Sequence, residues 1–270
     1  MKQAYTQTLI LLLIFLSACT ENIQLDLNSS DPQIVVEGSV PVDGKARISL
    51  TKSVNFDDSN IFPTISYAKI TLSDNIGNSE TLSEINPGIY TSNQITGMVG
   101  RIYSISFNYN NKTISSSCKL PNPVKFDSLE VKEADRISFG GLSSSNESGT
   151  LYTVKVKFND PASETNYYRF IEYINGKSTG NIYVYDDRIN SGKTNEKTLI
   201  NFNRYLVKGD VVMVEMQCIS QAVYEYFNSF GNLGMGPSSS TPANPYTNID
   251  GSQLGYFSAH TSEIKSVIIN

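Results

Sequence analysis

From Gln33 to the end of the chain, apolar and polar residues alternate in short runs, each closed by Gly, Pro, Asn or Asp. Period-two alternation places successive side chains on opposite faces of an extended backbone, so one face can be buried while the other stays wet. Ala46, Ile48 and Leu50 alternate with Arg47, Ser49 and Thr51, and Tyr67 to Leu72 repeats the pattern before the turn residues Asp74 to Asn78. Ile102 to Tyr109 returns through Asn110-Asn111 toward Cys118. Short strands at spacings of about 8–12 residues are the sequence form of a β-sandwich. Composition agrees, with sixteen tyrosines, no tryptophan and 17% charged residues.

The alternation predicts a mainly β chain in two parts. Residues 33–120 read as an immunoglobulin-like β-sandwich, 121–125 (Pro121-Asn122-Pro123 and its neighbours) as a Pro-rich linker, and 126–270 as a second β-rich domain. The second part has strand patterns at Phe126–Val131, Tyr152–Phe158, Tyr168–Ile174, Ile182–Tyr185 and Asp210–Cys218, and two closing strands at Leu254–Ala259 and Ile264–Ile269. Asn175-Gly176 is the strongest hairpin signal. The stretches Gly140–Gly149 and Gly234–Pro245 read as loops on composition. One amphipathic helix is predicted near residues 219–230. Its face is Ile219, Ala222, Val223, Tyr226, Phe227 and Phe230, with Ser220 as the start cap and Gly231 as the end cap. That face is expected to cover the second domain's sheet.

Ahead of the β pattern stands the apolar run Leu9–Leu16, followed by Ser17-Ala18-Cys19. The run is too short for a bilayer, which needs about 20 residues, but suits a signal-peptide core of about 7–15. Small residues followed by cysteine form a lipoprotein cleavage box. The expectation is a signal peptide over 1–18, a lipid on Cys19 and a tether over 19–32. An edge strand around Ile23, Leu25 and Leu27 is the other reading of that tether.

Net charge is −5 and there is no basic run, so a nucleic-acid partner is not expected. His260 is the sole histidine and follows no nucleophile elbow. Asp186-Asp187 and Glu172 are the carboxylates open to a glycosidase reading, whose spacing criterion is spatial. Asp57-Asp58 lacks the alternating ligand spacing of a calcium loop. No cofactor, metal site or catalytic residue is predicted, and the chain reads as a non-enzyme. Tyr183, Tyr185, Tyr246 and Tyr256 fit either sugar or peptide stacking or strand packing. Cys118 and Cys218 fit either a disulfide or two separate buried thiols.

Several motifs recur in one order: Ile34-Val35-Val36-Glu37-Gly38, Ala68-Lys69-Ile70-Thr71-Leu72, Pro87-Gly88-Ile89-Tyr90, Phe126-Asp127-Ser128-Leu129, Asn244-Pro245-Tyr246 and Leu254-Gly255-Tyr256-Phe257. This series resembles the Bacteroidota lipoproteins grouped as domain of unknown function 4249. The resemblance implies a lipid-anchored outer-membrane protein, facing the periplasm or the cell surface. Its gene would neighbour that of a TonB-dependent transporter. It implies no activity and no catalytic residues. Asp127-Ser128-Leu129 also resembles a short O-glycosylation signal of such bacteria, with a strand start at Ser128 as the other reading. The functional expectation is a non-enzymatic accessory or ligand-presenting partner of a TonB-dependent transporter. The alternatives are a stand-alone glycan- or peptide-binding module and, third, a hydrolase.

Overall fold

The computed structural model describes residues 31–55, 61–133, 152–201, 206–233, 245–252 and 254–270. The first half contributes β1 (Ile34–Pro41), β2 (Lys45–Lys52), β3 (Thr71–Asp74), β4 (Ser79–Thr81), β5 (Ser83–Asn86), β6 (Ile89–Thr96), β7 (Ile102–Tyr109) and β8 (Lys112–Lys119). The second contributes β9 (Phe126–Glu133), β10 (Tyr152–Asn159), β11 (Tyr167–Ile174), β12 (Lys177–Ser178), β13 (Tyr183–Asp186), β14 (Thr194–Leu199), β15 (Val211–Ile219) and β16 (Leu254–Ile268). A helix, α1 (Gln221–Leu233), lies between β15 and β16.

One nine-stranded sheet runs β12-β11-β15-β16-β1-β2-β6-β5, with β13 also on β11. Two smaller sheets, β4-β3-β7-β8 and β14-β10-β9, accompany it. Strand period and register assign the faces. Along β16, Phe257 and Ala259 belong to the first core with Val36, Leu50, Ile105 and Ile114. Further on, Val267 packs against the second core of Phe126, Val156, Phe170 and Val214. These β16 positions share one parity, so both small sheets back the same, inner face of the large one. The described residues within 32–54 and 61–270 form one compact unit.

The two closing strands expected at the C-terminus are one fifteen-residue strand. Its first part pairs parallel with β1, from Val35↔Leu254 to Pro41↔His260. Its second part pairs antiparallel with β15, from Cys218↔Thr261 to Val211↔Ile268. Each core therefore takes part of its wall from the same strand. Gly38 sits opposite Phe257, and a Cβ there would lie 2.7 Å from the Phe257 ring and 2.7 Å from Ile48. The missing side chain is the space that the aromatic ring fills.

Local turn signals hold. Asn175 and Gly176 (φ 51° and 77°) close the β11–β12 hairpin, and Asn110 and Asn111 (φ 47° and 60°) close β7–β8. Left-handed pairs of this kind match the twist of the strands they join. The third strand begins later than its alternation predicts, at Thr71 rather than Tyr67, because the backbone from Ile65 to Ala68 is tied to other partners described below.

The helix starts where predicted, with Val223 N–H donating to the Ser220 hydroxyl at 3.4 Å. It ends later than predicted: Gly231 is helical, not a cap. Ile219 closes β15 instead of opening the helix. The apolar face covers the large sheet over β11, β13 and β16, strands of the second part as expected, while Val223, Tyr226 and Phe227 join the first core cluster. It lies on the outer face of the large sheet, where the Tyr226 and Phe227 rings each sit 4.9 Å from that of Tyr256.

Candidate functional site

One exposed corner of the first sandwich is built around Tyr67. This side chain is 92% exposed, yet its backbone is held at φ 62°, a left-handed conformation that a bulky residue rarely adopts. Two side chains hold it there. Glu84 Oε2 accepts the Tyr67 N–H at 2.8 Å, and its Oε1 accepts the Gly88 N–H at 2.9 Å. Those donors, with Ser66, hold the Glu84 carboxyl below its usual range. Behind them, the buried Tyr90 hydroxyl accepts the Ala68 N–H at 3.0 Å and donates to the Ile65 carbonyl at 2.8 Å. Burial raises the Tyr90 pKa, which keeps this donor protonated.

Beside Tyr67 lies an open depression of about 410 Å³, lined by Ala68, Lys69, Thr71, Ser106, Phe107 and Asn108. It adjoins a second, of about 510 Å³, formed by Asn108 to Asn111 on the β7–β8 turn. An exposed aromatic ring, three asparagine amides, two hydroxyls and one ammonium thus meet at one corner. Such groups stack on apolar ligand faces and exchange hydrogen bonds with hydroxyls or amides. Ile61 and Phe62, 77% and 52% exposed, lead into the same segment.

The residues singled out from sequence lie elsewhere. Of the four tyrosines, Tyr183 is buried and donates to the Ile200 carbonyl at 2.9 Å, and Tyr185 packs edge-on against Phe170. Tyr256 lies under α1, and only Tyr246 is well exposed. Tyr67 went unrecognised because it looked like the first residue of a strand. Its positive φ is set by Glu84, seventeen residues away.

His260 is buried on the outer face, with Ser258 Oγ 3.2 Å from Nδ1 and Gln217 Nε2 3.3 Å from Nε2. Burial and the nearby Arg169 charge push its pKa down to about 4, so the ring is neutral at pH 7. The Arg169 guanidinium itself stacks 3.8 Å from the Phe227 centroid. Asp187 accepts the Asn166 N–H at 3.0 Å, and Asp186 pairs with Arg188 at 2.6 Å. Glu172 is fully buried in the second core, where burial raises its pKa. One of its oxygens accepts from Asn201 at 3.0 Å. Thr179, Asn181 and Tyr183 stand close by, but none closes a hydrogen bond on the other oxygen.

Cys118 and Cys218 are separate, buried free thiols. Sγ of Cys118 accepts the Ala259 N–H at 3.1 Å. Ser128 lies within β9, paired with Lys157 of β10. Cys19, Asp57-Asp58 and the Gly140–Gly149 and Gly234–Asn244 stretches fall outside the described residues. Among the described residues no group of three or more His, Cys, Asp or Glu side chains converges on a metal position.

The family model for the domain of unknown function DUF4249 matches residues 20–266. The chain belongs to this family. The match takes in β1 through most of β16, so the Tyr67 corner, the first core and all of the second core but Val267 and Ile269 lie within the DUF4249 region. No curated protein matches the chain.

Proposed function

We propose that this DUF4249 protein is a non-catalytic, lipid-anchored binding module of the outer membrane. In this reading it captures a saccharide at the Tyr67 corner and presents it to a TonB-dependent transporter. The observation that carries the binding role is the fixed, solvent-facing Tyr67. An unstrained backbone would cost less to hold in place, and strained backbone concentrates where a ligand is met. A tyrosine ring suits the C–H face of a sugar, while Asn108, Asn110, Asn111 and Thr71 offer donors and acceptors for its hydroxyls. The Leu9–Leu16 run and Ser17-Ala18-Cys19 support the anchor, which raises the local concentration of the module near any membrane partner.

Glycan and peptide arrays probed with the wild type and Tyr67→Ala test the corner. Glycan binding that the substitution abolishes supports it, and binding that survives the substitution overturns it. Fatty-acid labelling that disappears in Cys19→Ala tests the anchor. Recovery of a TonB-dependent transporter with the tagged protein from mildly solubilised outer membrane tests the partner, and its repeated absence counts against that part.

A further inference from the structure

β16 pairs with β1 only as far as His260. Beyond it, β1 stops at Pro41, whose successor Val42 donates its N–H to the His260 carbonyl at 2.9 Å. From Thr261 to Ile268 the strand pairs with β15 on one side, and among the described residues no strand pairs with its other edge. An unpaired edge presents a row of N–H and C=O groups to any strand that fits. The outer face along this edge is open as well, with Ile264 55% and Ile268 58% exposed.

The residues on this edge are complementary to themselves. Ser262-Glu263-Ile264-Lys265-Ser266 reads as serine, acid, isoleucine, base, serine. Two such strands laid antiparallel about Ile264 bring Ser262 opposite Ser266, Glu263 opposite Lys265 and Ile264 opposite Ile264. The Glu263 and Lys265 side chains pair with each other at 4.0 Å and are 43% and 33% exposed, so both can also reach a partner. Opposite charges across an antiparallel pair stabilise it, and like charges destabilise it. Charged side chains on an edge usually keep it single. Here their order makes the edge attractive to one partner in particular.

We propose that two copies of this chain join through β16, antiparallel and in register about Ile264, extending the large sheet across a two-fold axis. The interface is isologous, so each copy contributes the same edge. The Pro41–Val42 exit of β1 ends the pairing at Thr261, which lies opposite Val267 of the second copy.

Cysteine cross-linking of the full chain in the membranes of the producing cells tests the register. Under a mild thiol oxidant, Ile264→Cys is expected to give a covalent dimer as the major species. Ser262→Cys and Ser266→Cys should each stay largely monomeric alone and cross-link when co-produced. Of the wild-type thiols, Cys118 and Cys218 play no part because both are buried, and the unsubstituted chain is the control for Cys19. Charge exchange gives a second readout by sedimentation of the detergent-solubilised protein. Lys265→Glu sets Glu263 against a like charge twice per dimer and should weaken association by roughly tenfold or more, and adding Glu263→Lys should restore it. Because Glu263 Oε2 also accepts the Phe126 N–H at 2.9 Å, a melting curve accompanies each variant. Cross-linking of Ile264→Cys no stronger than that of Ser262→Cys alone overturns the proposal. So does sedimentation as a monomer at every concentration, or a folded Lys265→Glu that associates as the wild type does.

Discussion

Glu84 holds Tyr67 by the backbone: its carboxylate accepts the Tyr67 N–H at 2.8 Å and so keeps the backbone that carries an exposed ring in a left-handed conformation. Replacing Glu84 with Ala removes that acceptor without touching a core. The expected outcome is a small change in melting temperature and a marked loss of ligand affinity, read by titration against whichever array ligand binds. Acid should act in the same direction. The Glu84 carboxyl titrates below its usual range, so its hold is complete above that range and fails as pH falls through the lowered pKa.

His260 predicts a second pH dependence, at milder acidity. Its folded-state pKa is about 4, against about 6.5 unfolded. Between those values the unfolded chain binds the proton and the folded chain does not. Stability is therefore full above pH 6.5 and falls as pH drops toward 4, by up to about 3 kcal/mol. Denaturant titrations at pH 7 and pH 4.5 should show that slope, and His260→Gln should flatten it.

Asp74 organises the β3–β4 turn. It accepts from the Ile76 N–H at 3.1 Å, the Asn78 N–H at 2.9 Å, the Asn78 amide at 2.7 Å and Arg101 at 2.9 Å, and its side chain is fully buried. Asp74→Ala leaves these donors unmet and should cost roughly 2–4 kcal/mol. Chemical denaturation checks the magnitude. Arg101→Ala should cost less, since the turn amides keep their acceptor.

Gly255 has φ 105°, and a Cβ there would lie 1.9 Å from the Val36 carbonyl oxygen. Gly255→Ala cannot be absorbed by a side-chain rotation, because the obstacle is the backbone of β1. It should destabilise by more than about 2 kcal/mol. Hydrogen exchange should show protection lost first along Val35–Pro41, where β1 meets β16.

What could be read from sequence follows the range of the interactions. Asn175-Gly176, Asn110-Asn111 and the Ser220 cap were legible because each turn is decided by its own few residues. Alternation disclosed most strands for the same reason. It could not disclose that Leu254–Ile268 is one strand, since His260, Thr261 and Ser262 interrupt the apolar pattern at the point where neighbours change from β1 to β15. The end of α1 was misplaced because Gly231 carries a stop signal that this helix overrides. The candidate site was the least legible part. Tyr67 depends on Glu84 and on Tyr90 from two later strands, and neither partner stands out in the sequence.

The parallel pairing of β1 with β16 has a mechanical consequence. A pull from the N-terminal side enters the fold at Ile34, and resistance from the second core acts through the far end of β16 at Ile268. With the strands parallel, those forces meet at opposite ends of the pair and run along it. Every hydrogen bond between β1 and β16 is then strained together, in shear, instead of parting one after another like a zip. A chain held by its N-terminus would thus present its strongest direction to tension.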